Sequence, residues 1–199
     1  MLPHQSSGSD LAFLIDFINR AVAAGVDMVQ VRERDLPARD IAYLAETVAK
    51  SARLAGARVL VNDRADIAAC AADGVHLTTR SLTAGVVRRA FGSELLVGVS
   101  THNLDEASAA ERGGADFIVF GPIFETASKE AYGEPVGVEA LAETAARLSI
   151  PVLALGGITL SNFQQTLDAG AAGVAGISIF AEAPDLAKLV NTIKRNDGK

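Results

Sequence analysis

The chain has 199 residues, 49% of them hydrophobic and 21% charged, with a formal net charge of -6. That length suits one domain with a large buried core, and so much apolar content at so little net charge excludes a disordered chain. Acidic residues outnumber basic ones, 24 to 18, which removes the basic footprint that nucleic-acid binders carry.

Met1–Ser9 is polar and Ser-rich, without the basic start and apolar segment of a signal peptide. Asp10–Ala24 has helical spacing, with Ser9 or Asp10 as its N-cap. Met28–Arg32 is a short strand, followed by a helix at Ala38–Ala55 and strands at Ala57–Asn62 and Gly74–Leu77. A helix at Leu82–Phe91 leads to a strand at Leu95–Ser100, and Asn103 caps the next helix, Leu104–Gly113. The strand Asp116–Gly121, helix Val138–Leu148, strand Pro151–Gly156 and helix Leu160–Ala169 follow. The strand Gly173–Ile179 and helix Pro184–Lys194 close the order.

The strand runs are almost continuously apolar, the pattern of strands buried on both faces of a parallel sheet. Gly25, Gly56, Gly113 and Gly170 each follow a helix, where a left-handed cap costs glycine least. Strands alternating with helices predict an α/β fold. No Gly-x-Gly-x-x-Gly element follows a strand, which argues against a dinucleotide-binding sheet. Polar or glycine residues finish nearly every strand: Arg32, Asn62 with Asp63, His76, Ser100, Gly121, Gly156 with Gly157, and Ser178. A (β/α)8 barrel builds its site from such a ring at the strand C-termini. The expectation is a single TIM (β/α)8 barrel domain over 1–199 with its first strand missing or atypical, because Met1–Gly8 has no strand pattern.

Several of these strand ends could carry chemistry. Gln30, Arg32 and Arg34 alternate along one strand and share a face, so two guanidiniums could clamp a phosphate, unless Glu33 and Asp35 pair with them at the surface. In Asn62-Asp63-Arg64 the carboxylate could hold Mg²⁺ beside a diphosphate, or simply serve a turn. Gly156-Gly157 and the strand end at Ser178 suit a phosphate held by backbone N–H groups, the alternative being a tight turn. The loop after Gly121 is too long for a plain turn, and Thr126, Ser128 and Lys129 could surround an anion or merely be solvated. His76 reads as a hydrogen-bonded core residue, while His102 could reach substrate or only cap a helix.

On these stretches the chain resembles the thiamine phosphate synthase/TenI family. The resemblance is carried by Val29-Gln30-Val31-Arg32-Glu33-Arg34, Val61 to Ala68, Asp73-Gly74-Val75-His76-Leu77, Val97 to His102, Asp116 to Lys129, and Ala154-Leu155-Gly156-Gly157-Ile158. It implies a (β/α)8 transferase of thiamine biosynthesis that couples a pyrimidine diphosphate to a thiazole phosphate, releasing pyrophosphate and thiamine phosphate. It further implies that Gln30, Arg32, Arg34 and Asn62 contact the pyrimidine diphosphate and that Asp63 binds Mg²⁺. Ser100 and Lys129 would touch the diphosphate and the reacting centre, so that Arg32, Ser100 and Lys129 form the catalytic set. Thr126 and Ser128 would line the thiazole side, and Gly157 and Ser178 would hold the thiazole phosphate.

The chain departs from that pattern at three places. Thr78-Thr79-Arg80-Ser81 stands where the synthase has Gly-Gln-Glu-Asp, so the second metal carboxylate is replaced. Arg34 stands where the synthase has lysine, and the first strand is not visible. Two alternatives to the synthase follow: a TenI-type thiazole tautomerase, or a non-catalytic binder of thiamine-pathway phosphates that acts as a regulator. Pro122 occupies the position of the tautomerase histidine and counts against the first, leaving His102 as a substitute acid/base.

Cys70, the only cysteine, can form no internal disulfide and fits a reducing cytoplasm. No apolar run reaches the roughly 18 residues of a membrane span. The expected partners are small phosphorylated molecules, with no nucleic acid and no membrane, and with homo-oligomer formation left open.

Overall fold

The structure, a computed structural model, describes residues 8–33, 35–126 and 134–196. Helix α1 (Gly8–Ala23) is followed by β1 (Met28–Val31), α2 (Ala38–Leu54), β2 (Arg58–Asn62), α3 (Ala65–Ala71) and β3 (Gly74–Leu77). Then come α4 (Ala84–Phe91), β4 (Leu96–Thr101), α5 (Leu104–Arg112) and β5 (Phe117–Phe120). Helix α6 (Gly137–Arg147), β6 (Val152–Leu155), α7 (Phe163–Asp168), β7 (Gly173–Ala175), α8 (Ser178–Ala181) and α9 (Leu186–Asn196) complete the chain. The seven strands form one parallel sheet in chain order, each paired to the next.

Period-two alternation divides the strand side chains between two cores. Val59, Val61, Val75, Val97, Ile118 and Val152 face the helices in the larger one. The smaller one joins Leu60 of β2 to Phe117 and Val119 of β5, with Met28, Leu96, Leu153, Leu155 and Ala175 packed on it. In a flat sheet three strand spacings would hold β2 about 14 Å from β5. The sheet is therefore curled, with the small cluster as its filling. Glycine makes room for that filling: a Cβ on Gly98 would stand 2.2 Å from the Phe117 ring, and one on Gly74 would stand 2.7 Å from Leu60.

This is the expected TIM-like architecture with one strand fewer. Among the described residues no strand precedes α1, and no pairing joins β7 to β1. Helix α9 spans that seam instead. Its Lys194 reaches Asp27, at the entry to β1, at 2.7 Å, and its Val190 lies 3.6 Å from where a Gly25 Cβ would be.

Five details correct the sequence reading. Helix α3 was not expected; it follows Asn62-Asp63-Arg64 without a linker, so its Ala-rich run reads as part of the strand-end motif. The helix expected from Leu160 begins at Phe163. The last strand ends at Ala175, and Ser178 opens the short helix α8. Ser9 and Asp10 lie within α1 rather than capping it. Gly113 is right-handed (φ -75) and Gly114 takes the left-handed place at φ 88. Gly25, Gly56 and Gly170 are left-handed as expected, and Asn103 caps α5 by accepting from the Glu106 N–H.

Candidate active site

In a curled parallel sheet the inward side chains at the strand C-termini share one mouth. On β1 the inward row is Met28, Gln30 and then Arg32. On β2 it is Leu60 and Asn62, on β3 Gly74 and His76, and on β4 Leu96, Gly98 and Ser100. The apolar members fill the lower layer and the polar ones crown it.

The crown is hydrogen-bonded in series. Gln30 donates from Nε2 to Asn62 Oδ1 at 2.7 Å, and Asn62 donates from Nδ2 to Asp63 Oδ2 at 2.8 Å. Each bond fixes which end of its amide points where. The other carboxylate oxygen of Asp63 accepts from the Ser81 hydroxyl and from the Thr78 N–H at 3.2 Å. Thr78 Oγ1 lies 3.0 Å from Ser81 Oγ, which ties the two hydroxyls together. Asp63 itself has a left-handed backbone, φ 59, a conformation aspartate tolerates better than most residues. Arg64 turns away and forks onto Asp66 at the start of α3, at 2.8 and 2.6 Å. That pairing holds the exposed Asp66 carboxyl below its ordinary range.

Beside this row, on β3 and β4, His76 Nε2 meets Ser100 Oγ at 3.1 Å. Burial pushes the His76 pKa down to about 4; the Asp63 charge pulls it up and the Arg32 charge pushes it down again. Its imidazole is therefore neutral near neutral pH. His76 is the buried, hydrogen-bonded residue that the sequence led one to expect, whereas Ser81 and Thr78 were missed as partners of Asp63. No signal in the sequence marked Ser81: its turn is closed locally on Thr78, and only the fold brings that turn to Asp63.

The far rim is made of backbone. The Gly121-Pro122 peptide is cis, and through it β5 leads into a loop that packs on Gly156 and Gly157. A Cβ on Gly156 would lie 2.5 Å from Pro122, and one on Gly157 2.4 Å from the Glu125 carbonyl oxygen. Gly157 is left-handed, φ 64. Thr126 follows Glu125 in that loop and is half-buried. Ser178 is exposed at the head of α8, a helix of 4 residues, rather than at a strand end. His102 is tied to this rim through Nδ1 and the Gly121 carbonyl, and its own N–H donates to Glu106 at 2.8 Å. Arg34, Ser128 and Lys129 lie outside the described residues.

Residues 5–180 match the family model described as thiamine monophosphate synthase. The chain belongs to this family. A curated relative from Geobacter sulfurreducens is 50% identical over 183 residues, 92% of this chain and 84% of its own. The thiamine-phosphate synthase of Chlorobium luteolum is 42% identical over 192 residues, 92% of this chain and 91% of its own. A solved thiamine phosphate pyrophosphorylase from Pyrococcus furiosus superposes with a TM-score of 0.83 at 30% identity, covering 92% of this chain and 88% of that one. The chain is accordingly an enzyme of the transferase class, in thiamine biosynthesis, on a TIM-like fold.

Proposed function

We propose that this chain joins hydroxymethylpyrimidine diphosphate to thiazole phosphate, giving thiamine phosphate and pyrophosphate. The C–O bond between the pyrimidine methylene and the diphosphate breaks, and its electron pair leaves with pyrophosphate. The thiazole nitrogen lone pair forms the new C–N bond to that methylene. No proton has to be removed, so a neutral, buried His76 is no obstacle. Catalysis is then positioning and charge stabilisation.

The observation that supports the reading is the hydrogen-bonded series Gln30–Asn62–Asp63 at the C-terminal ends of β1 and β2, with Arg32 two residues beyond Gln30 along the chain. In it Gln30 and Asn62 orient the pyrimidine, and Arg32, with Arg34, draws the diphosphate. Ser100, held by His76, donates to the departing group, and Lys129 neutralises it. Thr126 and Ser128 line the thiazole side, while Gly157 and Ser178 take the thiazole phosphate. The donor set at Asp63, one carboxylate with hydroxyls beside it, suits Mg²⁺, a hard cation that takes oxygen ligands and substrate phosphates. Bound there, the ion would supply charge neutralisation for the pyrophosphate. Cys70, a free and exposed thiol, supports a reducing cytoplasm as the setting. No described helix is long and apolar enough to cross a membrane.

The test is incubation of the protein with both phosphorylated substrates and Mg²⁺, followed by chromatography for thiamine phosphate. Product in saturating substrate is the expected result, and its absence rejects the reading.

A further inference from the structure

The backbone segment of the far rim hangs between two neighbours. On the β6 side the Ile123 N–H donates to the Leu155 carbonyl at 2.9 Å, and the Phe124 N–H to the Gly156 carbonyl at 3.0 Å. On the β4 side Gly121 is gripped through both its peptide groups. Its N–H donates to the Thr101 carbonyl at 3.2 Å, and its carbonyl accepts from His102 Nδ1. The return of the loop is tied to the same stretch, the Val136 N–H donating to the Pro122 carbonyl at 2.8 Å. Of these ties only the one from His102 comes from a side chain. Gly121, Pro122 and Ile123 are buried, where a carbonyl that loses its donor is costly.

His102 is itself held from behind. Its backbone N–H donates to Glu106 Oε2 at 2.8 Å, while Glu106 Oε1 accepts from Asn103 Nδ2 at 3.0 Å. Asn103 in turn accepts from the Glu106 N–H at 2.9 Å. The start of α5 therefore fixes the backbone from which the imidazole reaches the rim. A carbonyl oxygen only accepts, so Nδ1 carries the proton of that bond.

We propose that His102 is a positioning residue for the thiazole half of the reaction. By holding the Gly121 carbonyl it sets how Pro122 to Thr126 lies against Gly156 and Gly157, where the Glu125 carbonyl oxygen stands 2.4 Å from the place of a Gly157 Cβ. The inference rests on the thiazole-phosphate reading above. His102 transfers no proton in this role and touches no reacting atom. Its removal changes where the rim stands, and a small misplacement of a binding surface is felt by the substrate that rests on it.

Two variants and one spectrum test the role. His102→Phe keeps a ring and removes the donor; KM for thiazole phosphate is expected to rise about tenfold, with KM for the pyrimidine diphosphate within about twofold of the parent. His102→Asn places an amide N–H where Nδ1–H stood and is expected to restore KM for thiazole phosphate to within about threefold. Nitrogen-15 NMR of the unmodified, full-length chain at about pH 8.5, where an ordinary imidazole is neutral, is expected to show His102 with its proton on Nδ1. A bare Nδ1 there overturns the inference without any variant having to fold. So does an Asn variant no better than the Phe variant, or a Phe variant that weakens both substrates equally. If the unmodified chain forms thiamine phosphate and the Phe variant matches it in both KM values, only this inference falls. If the unmodified chain forms no product, the reading beneath it falls as well.

Discussion

The two rims of the mouth are built by different means. From β1 to β4 the site is made of side chains, with Gln30, Asn62, Asp63 and Ser81 bonded in series and His76 under Ser100. From β5 to β7 it is made of backbone, with Gly156 and Gly157 pressed against the Pro122–Glu125 segment where no Cβ fits. A rim of side chains can exchange one oxygen donor for another and keep its shape. A rim of bare backbone has no such freedom: adding one methyl group changes the loop. Substitutions should therefore alter chemistry on the first rim and stability on the second.

The sharpest test of that division is Asp63→Asn. It keeps the shape of the residue and removes the charge, so kcat/KM for thiamine phosphate formation should fall about 100-fold or more, the scale seen when one electrostatic donor leaves an active site. The denaturation midpoint should hardly move, because Asp63 is exposed. An equal loss of stability would erase the distinction between the rims.

Gly157→Ala asks the converse question. Its φ of 64 is strained for alanine, and the new Cβ would meet the Glu125 carbonyl at 2.4 Å. Unfolding in urea should show a loss of about 2 kcal/mol, and KM for the thiazole phosphate should rise as the loop shifts. A variant as stable as the parent would mean the backbone rim is softer than its geometry indicates.

His76 gives the side-chain rim a pH signature. Its folded pKa is lowered to about 4 from an ordinary 6.5. A histidine kept neutral in the folded state stabilises it fully only above the unfolded pKa. As pH falls from about 6.5 toward 4 the unfolded chain takes up the proton first, and stability declines. Urea melts at about pH 7 and about pH 5 should differ by about 1 to 2 kcal/mol from this residue. His76→Gln, neutral at both values, should remove that part of the difference. The smallest effect is expected far from either rim. Lys194→Ala breaks the exposed pair with Asp27 and should cost about 0.5 kcal/mol or less by the same melts, with kinetics unchanged.

The seven strands and most of the helices were legible because each strand is a continuous apolar run flanked by Ala-rich helical spacing and glycine punctuation. The polar strand ends of β1 to β4 were legible for the same reason: which side chains face inward follows from the alternation. What was not legible depends on three-dimensional neighbours. Helix α3 hides because its first residues double as the end of a site motif. Gly113 and Gly114 are equivalent in the sequence, and only the approach of Arg88, 3.2 Å from a Gly114 Cβ, accompanies the left-handed turn at the second. The hydroxyl of Ser81 reaches Asp63 across 18 residues, and such a partner leaves no local periodicity to read. Ser178 looks like a strand end because the apolar run continues past Ala175, where β7 stops, to Ile179.

The seam between β7 and β1 bears on how the molecule yields. Six strand boundaries are laced by parallel backbone bonds, while the circle is completed by a helix resting on a turn. A ring fastened at one place by a clasp instead of a weld opens there first. Amide deuterium uptake should accordingly start at Val29 and Val174 and reach Val97, in the middle of the laced wall, last. Because the clasp lies between the two rims, its loosening widens the cup without unstitching either lip.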